Sequence, residues 1–143
     1  MACGGGGDGT PSPVQPSPVA SPAPTPTPTP TPAPALQPTF SSINTQVLQV
    51  WCIGCHSGVG RPPDGGLRLD ANAAYGELVN AQSAGKPSAV RVVPRDPSGS
   101  YLIQKLEGRS DIIGDRMPFG GQPLAQSDID VIRAWISQGA PNN

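Results

Sequence analysis

Residues 4–38 are built almost entirely from Gly, Pro, Ser, Thr, Ala and Val, and they include the alternating run Thr25-Pro26-Thr27-Pro28-Thr29-Pro30-Thr31-Pro32. A stretch of this kind has too little apolar surface to offset the entropy of ordering it. Alternating proline favours extended polyproline II, which makes a semi-rigid spacer. Residues 1–38 therefore read as a tether. Residues 39–143 are left as the one folded domain, about 105 residues, enough for a modest core that a bound group would help to fill.

Nine basic and ten acidic residues leave a net charge of −1. No basic stripe suggests nucleic acid, and no apolar run approaches the length of a membrane-spanning helix. The scarce residues are more telling. The chain has three cysteines, two methionines (one of them Met1) and a single histidine.

The folded part reads as three or four short helices joined by long loops, with little or no sheet. Thr39 is placed to cap a helix in which Phe40, Ile43, Val47 and Val50 share one face, with Trp51 beside them, running directly into Cys52. Residues 57–66, rich in Gly and Pro, form an irregular loop. Asp70 is expected to cap a short helix through Tyr75 and Leu78, and residues 90–94 read as extended chain. Pro97 and Ser98 start a helix that Gly108 ends. Residues 114–123 are again a Gly/Pro loop, with Met117 inside it. Ile129, Ile132, Trp135 and Ile136 lay an apolar stripe on the last helix, which Gly139 and Pro141 stop. Loops this long in so small a domain point to a bound group that organises them.

Cys52-Ile53-Gly54-Cys55-His56 is the C-x-x-C-H pattern of covalent haem attachment. Two thiols three positions apart can add to the two haem vinyl groups, and the adjacent histidine then sits beneath the iron. Other uses of the pattern fit less well. A thioredoxin-like pair needs a strand before it and a helix after. A structural zinc needs four ligands, and only Cys3 would remain. A plain disulfide leaves His56 without a role. With one histidine in the chain, Met117 becomes the candidate sixth ligand. Its loop, Gly114-Asp115-Arg116-Met117-Pro118-Phe119-Gly120-Gly121, lets backbone approach a flat group, and Pro118 keeps Met117 out of helical geometry. Water, Lys86, Lys105 or an open position are the alternatives, and a core methionine filling a gap is the plainer use of the residue.

Residues 39–143 resemble a class I cytochrome c domain, monohaem with His/Met ligation. The likeness is strongest to bacterial domains that read Gly65-Gly66-Leu67-Arg68-Leu69 after the attachment motif and end in Trp135-Ile136-Ser137-Gln138-Gly139-Ala140-Pro141. The resemblance implies an all-α cytochrome c fold around one haem c, with His56 and Met117 on the iron. It also implies a backbone carbonyl, from Pro62 or Pro63, that accepts a hydrogen bond from the proximal imidazole. Where such domains have a serine helix cap, this chain has Ala125, which leaves Ser127 or Asp128 to serve. The expected haem walls are Leu67, Leu69, Tyr75, Leu78, Val93, Tyr101, Leu102, Leu106 and Pro118. Arg91 and Arg116 could reach a haem propionate, although a solvated surface arginine is the plainer reading. Trp51 and Trp135 are expected to lock the terminal helices together.

Cys3, preceded by Ala and followed by a Gly-rich stretch, resembles the lipidated cysteine of bacterial lipoproteins, although the signal peptide of that pattern is missing. Lipidation would anchor the chain in the bacterial cell envelope, facing the periplasm or the cell surface. The spacer would then reach about 100 Å at roughly 3.1 Å per residue. The function expected is a monomeric, membrane-tethered one-electron carrier between redox protein partners, not an enzyme, since no acid/base set accompanies the motif. A haem-based gas sensor with a labile Met117, or a cytochrome subunit of a larger oxidoreductase, are the alternatives.

Overall fold

The computed structural model describes residues 34–60 and 62–143; Cys3 and the Pro/Thr run, with the anchor and spacer read into them, lie outside the described residues. The described chain is helical, with three isolated β-bridges and no strand. None of its helices is long and apolar enough to cross a membrane.

Helix α1 begins as expected. Thr39 stands in extended geometry and its hydroxyl accepts a hydrogen bond from the Ser42 amide, and Phe40–Ile43 is α-helical. It then widens into a π-helical stretch, Asn44–Cys52, in which bonds run five residues back: the Ile53 amide donates to the Leu48 carbonyl at 2.9 Å. A π turn advances less per residue than an α turn, so the expected stripe is broken. Phe40, Ile43 and Val47 are buried and Leu48 joins them, while Val50 is 63% exposed and Trp51 50%. Trp51 therefore does not lock the terminal helices together.

Ordered contacts begin before Thr39. Leu36 packs against the core, and the Gln37 amide donates to the Ser42 hydroxyl. After the loop, Asp70 does not cap the next helix with its side chain. Its carbonyl receives the Ala73 and Ala74 amides, whereas its carboxylate accepts from the Ser57 hydroxyl (3.1 Å) and the Gly58 amide (3.3 Å). That carboxylate ties the loop leaving the Cys-His motif, and α2 starts later, at Ala74–Leu78.

The extended segment is pinned by the parallel bridge Val79 to Val92 and the antiparallel bridges Gln82 to Val90 and Val93 to Asp96. Helix α3, Tyr101–Glu107, starts three residues after the expected Ser98. The turn before it is stabilised by buried Ser100, whose hydroxyl donates to the Asp96 carbonyl and accepts from the Val93 amide. Gly108 ends α3 in the left-handed region at φ 68°, which a glycine enters without a Cβ penalty. Helix α4, Gln126–Ser137, has Ala125 at its N-cap and no side-chain cap; Ser127 and Asp128 lie inside the helix. Asp128 in the first turn instead favours the positive end of the helix dipole.

The core centres on Trp135, which is fully buried and donates its indole N–H to the Pro141 carbonyl at 2.9 Å. At about 25 cal/mol per Å², burying such a ring is worth about 4–6 kcal/mol. Its ring lies 5.8 Å from that of Phe40, and Phe40 meets Tyr75 edge-on at 5.0 Å. The unsatisfied amides at the start of α1 are taken up by the C-terminal segment, Phe40 by the Asn143 side chain and Ser41 by its carbonyl.

Glu107 joins α3 to α4. Its carboxylate accepts from Arg133 on α4 and, at 2.9 Å, from Arg109. Partial burial would raise its pKa, but the hydrogen bonds and charges of the two arginines outweigh that and hold it below the usual 4.5. The lowered folded value means that Glu107 stabilises the fold at neutral pH and loses that contribution as pH falls through it. Glu107→Gln is expected to cost about 1 kcal/mol at pH 7 in urea unfolding. The gap from wild type should narrow as pH falls below the usual value of 4.5 and Glu107 takes up its proton. A gap that does not narrow on acidification would contradict this.

Candidate functional site

Cys52 closes α1, and the chain turns immediately: the Cys55 and His56 amides both donate to the Cys52 carbonyl, at 3.2 and 3.0 Å. The turn is sewn to the following loop, with the Asp64 amide on the Cys55 carbonyl and the Leu69 amide on the His56 carbonyl (2.7 Å). His56 Nδ1 lies 2.9 Å from the Asp64 carbonyl oxygen. A carbonyl only accepts, so Nδ1 carries the proton and the neutral ring keeps its lone pair on Nε2. The ring is thus oriented by Asp64, and not by Pro62 or Pro63. The Pro63 carbonyl is used by its own 3₁₀ turn, Asp64–Gly66, where it receives the Gly66 amide; Pro62 is exposed.

Two adjoining hollows share Cys52, His56, Asp64, Asp115 and Met117 as lining. The larger, about 330 Å³, is walled by Leu48, Leu67, Leu69, Leu78, Leu102, Leu106 and Tyr101. The smaller, about 150 Å³, adds Cys55, Trp51, Pro118 and Phe119. The structure thus brings together Cys52, Cys55, His56, Met117, Leu67, Leu69, Leu78, Tyr101, Leu102, Leu106 and Pro118. Tyr75 and Val93 are not among the lining residues. Tyr75 packs on Phe40 and donates to the Ala140 carbonyl, and the Val93 amide is held by Ser100. Both were candidates as apolar residues near the motifs, a criterion that does not distinguish a cavity wall from core.

Burial, reinforced by the neighbouring Cys55, pushes the Cys52 thiol up to about 11, while Cys55 is exposed. Met117 is half-buried, and its amide donates to the Lys105 carbonyl at 2.9 Å. The loop before it is strapped down at several points. The Lys105 ammonium donates to the Ile113 and Asp115 carbonyls, Arg116 Nε to Leu106 O, and the Ile113 amide to the Tyr101 hydroxyl. Burial lowers the Lys105 pKa, opposed by Asp115. Lys86 donates to the Asp111 carbonyl and carboxylate. Both lysines that competed with Met117 as candidate ligands are therefore committed to backbone.

Sequence reasoning missed Leu48, which the π stretch turns inward, and Asp64, an exposed residue at the start of the 3₁₀ turn whose backbone carbonyl meets His56. It also misjudged Arg91. Far from being a solvated surface arginine, Arg91 is 7% exposed, lines the larger hollow and donates to Glu77 and to the Gly66 carbonyl. Arg116 is exposed.

No protein-family model, curated protein or solved structure matches the chain. Among the described residues no group of three or more His, Cys, Asp or Glu side chains is placed to hold a bare metal ion. What the site offers instead is one imidazole lone pair, one thioether sulfur and two thiols around an apolar hollow.

Proposed function

We propose that this chain is a monohaem c-type cytochrome of the class I kind that carries single electrons between redox proteins. The observation that carries the reading is the shared lining: the cavity bordered by Cys52 and Cys55 is also bordered by His56, with Nε2 available, and by Met117. Cys52 and Cys55 would hold the haem covalently, and His56 and Met117 would ligate its iron. The bound group supplies a reversible one-electron change at iron.

The rest of the work falls to the chain. The Asp64 carbonyl fixes the imidazole tautomer and raises its basicity as a ligand. Lys105, Arg116 and Tyr101 hold the Met117 loop against α3. The leucine walls would give a bound haem largely apolar surroundings. Cys3 and the Pro/Thr run extend the proposal to a lipid-anchored carrier on a long tether at the bacterial cell envelope.

The test is the optical spectrum of the reduced protein before and after carbon monoxide. A carrier with both axial positions filled is expected to keep its spectrum. Rapid formation of a carbon monoxide adduct would replace the carrier reading with that of a gas-binding module.

A further inference from the structure

Two loops contribute to the lining of the larger hollow: residues 83–89 through Ser83 and Gly85, and residues 109–117 through Ile113, Gly114, Asp115 and Met117. The first is braced from within. The Ser83 amide donates to the Ala89 carbonyl at 2.9 Å, the Ala89 amide to the Lys86 carbonyl at 2.8 Å, and the Lys86 amide to the Ser83 hydroxyl. The second belongs to no helix or strand, and the carbonyls of Asp111, Ile113 and Asp115 are held by lysine side chains from outside it. One residue joins the two loops. Lys86 Nζ donates to the Asp111 carbonyl at 2.7 Å and to its carboxylate at 3.1 Å, and lies 5.3 Å from the centre of the Tyr101 ring. Tyr101 in turn accepts the Ile113 amide on its hydroxyl. Among the described residues no other hydrogen bond ties these two loops to each other. Only 20% of the Lys86 side chain is exposed, so its ammonium has exchanged much of its water for these contacts.

We propose that Lys86 is a positioning residue for the sixth iron position: its ammonium clasps the Met117 loop to residues 83–89 and so sets how fast Met117 gives way to an entering ligand. The inference rests on the haem-carrier reading and names a residue that regulates that same site. Lys105 and Tyr101 brace the loop from α3, and Arg116 braces it from within. Lys86 alone ties it to a second loop of the same hollow, so the Met117 loop cannot swing away from the hollow without breaking that contact. A charge-assisted bond to a carbonyl is stronger than a neutral one, and the ring face of Tyr101 adds to the hold on the ammonium. A loop held by side chains alone opens locally while the rest of the domain stays folded, and ligand exchange then follows the opening.

The experiment mixes the oxidised, haem-loaded full chain with excess imidazole in a stopped-flow instrument and follows loss of the near-infrared iron–thioether band. As imidazole is raised, the rate of loss should level off at the rate of loop opening. Lys86→Ala should raise that plateau about fivefold or more, because it loses the carbonyl bond, the ion pair and the ring contact together. Asp111→Ala removes only the carboxylate contact and should raise it about twofold. Lys86→Arg, which keeps the charge and its donors, should stay near wild type. Asn143→Ala supplies the control. It loses the bond that the Asn143 side chain accepts from the Phe40 amide, at the join of α1 and the C-terminal segment, and touches neither loop. It should lower thermal stability and leave the plateau unchanged. Lys86→Ala exchanging at the wild-type rate would overturn the proposal, and so would Asn143→Ala exchanging as fast as Lys86→Ala. Should Lys86→Ala fail to take up haem, Asp111→Ala carries the test, and an unchanged plateau there overturns the proposal as well. Wild-type protein without covalent haem or without the near-infrared band would sink the carrier reading and this inference with it. If the band is present and only the plateau rates disagree, the inference about Lys86 alone fails.

Discussion

Denatured and extracted with acidified organic solvent, the protein made in a haem-attaching bacterial host is expected to keep its haem, and its mass to exceed that of the polypeptide by one haem. A thioether survives denaturation, whereas a haem held only by coordination leaves with the solvent. The two cysteines should differ in detail. Cys52 is partly buried at the end of α1 and Cys55 is exposed in the turn, so the single variants Cys52→Ala and Cys55→Ala should each retain one thioether and a less stable product. The double variant should release all of its haem, a change from complete retention to complete loss. His56→Ala should remove the imidazole ligand, which no other residue can replace because the chain has one histidine. Haem passing from wild-type protein into the organic phase would overturn the reading at its root.

Met117→Ala is expected to have the second-largest effect. Oxidised wild-type protein should show the weak near-infrared band of iron–thioether charge transfer, and the variant should lose it. Replacing a thioether ligand also removes a preference for Fe(II), so the potential should fall by on the order of 100 mV. The vacated position should then take carbon monoxide rapidly. Lys86 and Lys105 are poor substitutes while Asp111 and the carbonyls of residues 113 and 115 hold their ammonium groups. Equal spectra for wild type and Met117→Ala would show that some other group occupies the sixth position. Lys105→Ala in the Met117→Ala background would then test the nearer lysine.

Much of this chain is legible residue by residue because its cues are local. Thr39 caps α1 through an amide three residues away, Gly108 ends α3 because it can enter the left-handed region, and the stripe Ile129, Ile132, Trp135, Ile136 is buried as its spacing predicts. The spacing of Cys52, Cys55 and His56 likewise needs nothing beyond one turn of chain to set the three groups close together. The resemblance to a cytochrome c domain, and with it the proposed haem, rests on those residues, on Met117 and on the runs Gly65-Gly66-Leu67-Arg68-Leu69 and Trp135-Ile136-Ser137-Gln138-Gly139-Ala140-Pro141.

The failures arise where hydrogen bonding and backbone geometry, near in sequence or far, override what a residue's type and spacing suggest. Pro63 could orient the imidazole by position alone, but its carbonyl is already used by the Asp64–Gly66 turn, so Asp64 supplies the acceptor. Asp70 has the composition of a helix cap, yet its carboxylate goes to Ser57 and Gly58 across the loop. The α-helical period predicts Val50 inside; the change to π geometry puts Leu48 there and leaves Val50 and Trp51 on the surface. Arg91 reads as a surface cation until Glu77 and Gly66, from separate segments, surround it. The sequence by itself determined which groups could do chemistry here, because those residues are few and their spacing is local. Only the tertiary structure decided which carbonyl orients His56, which lysines are taken out of competition with Met117, and which apolar side chains face outward, because each depends on atoms that the fold alone brings within reach.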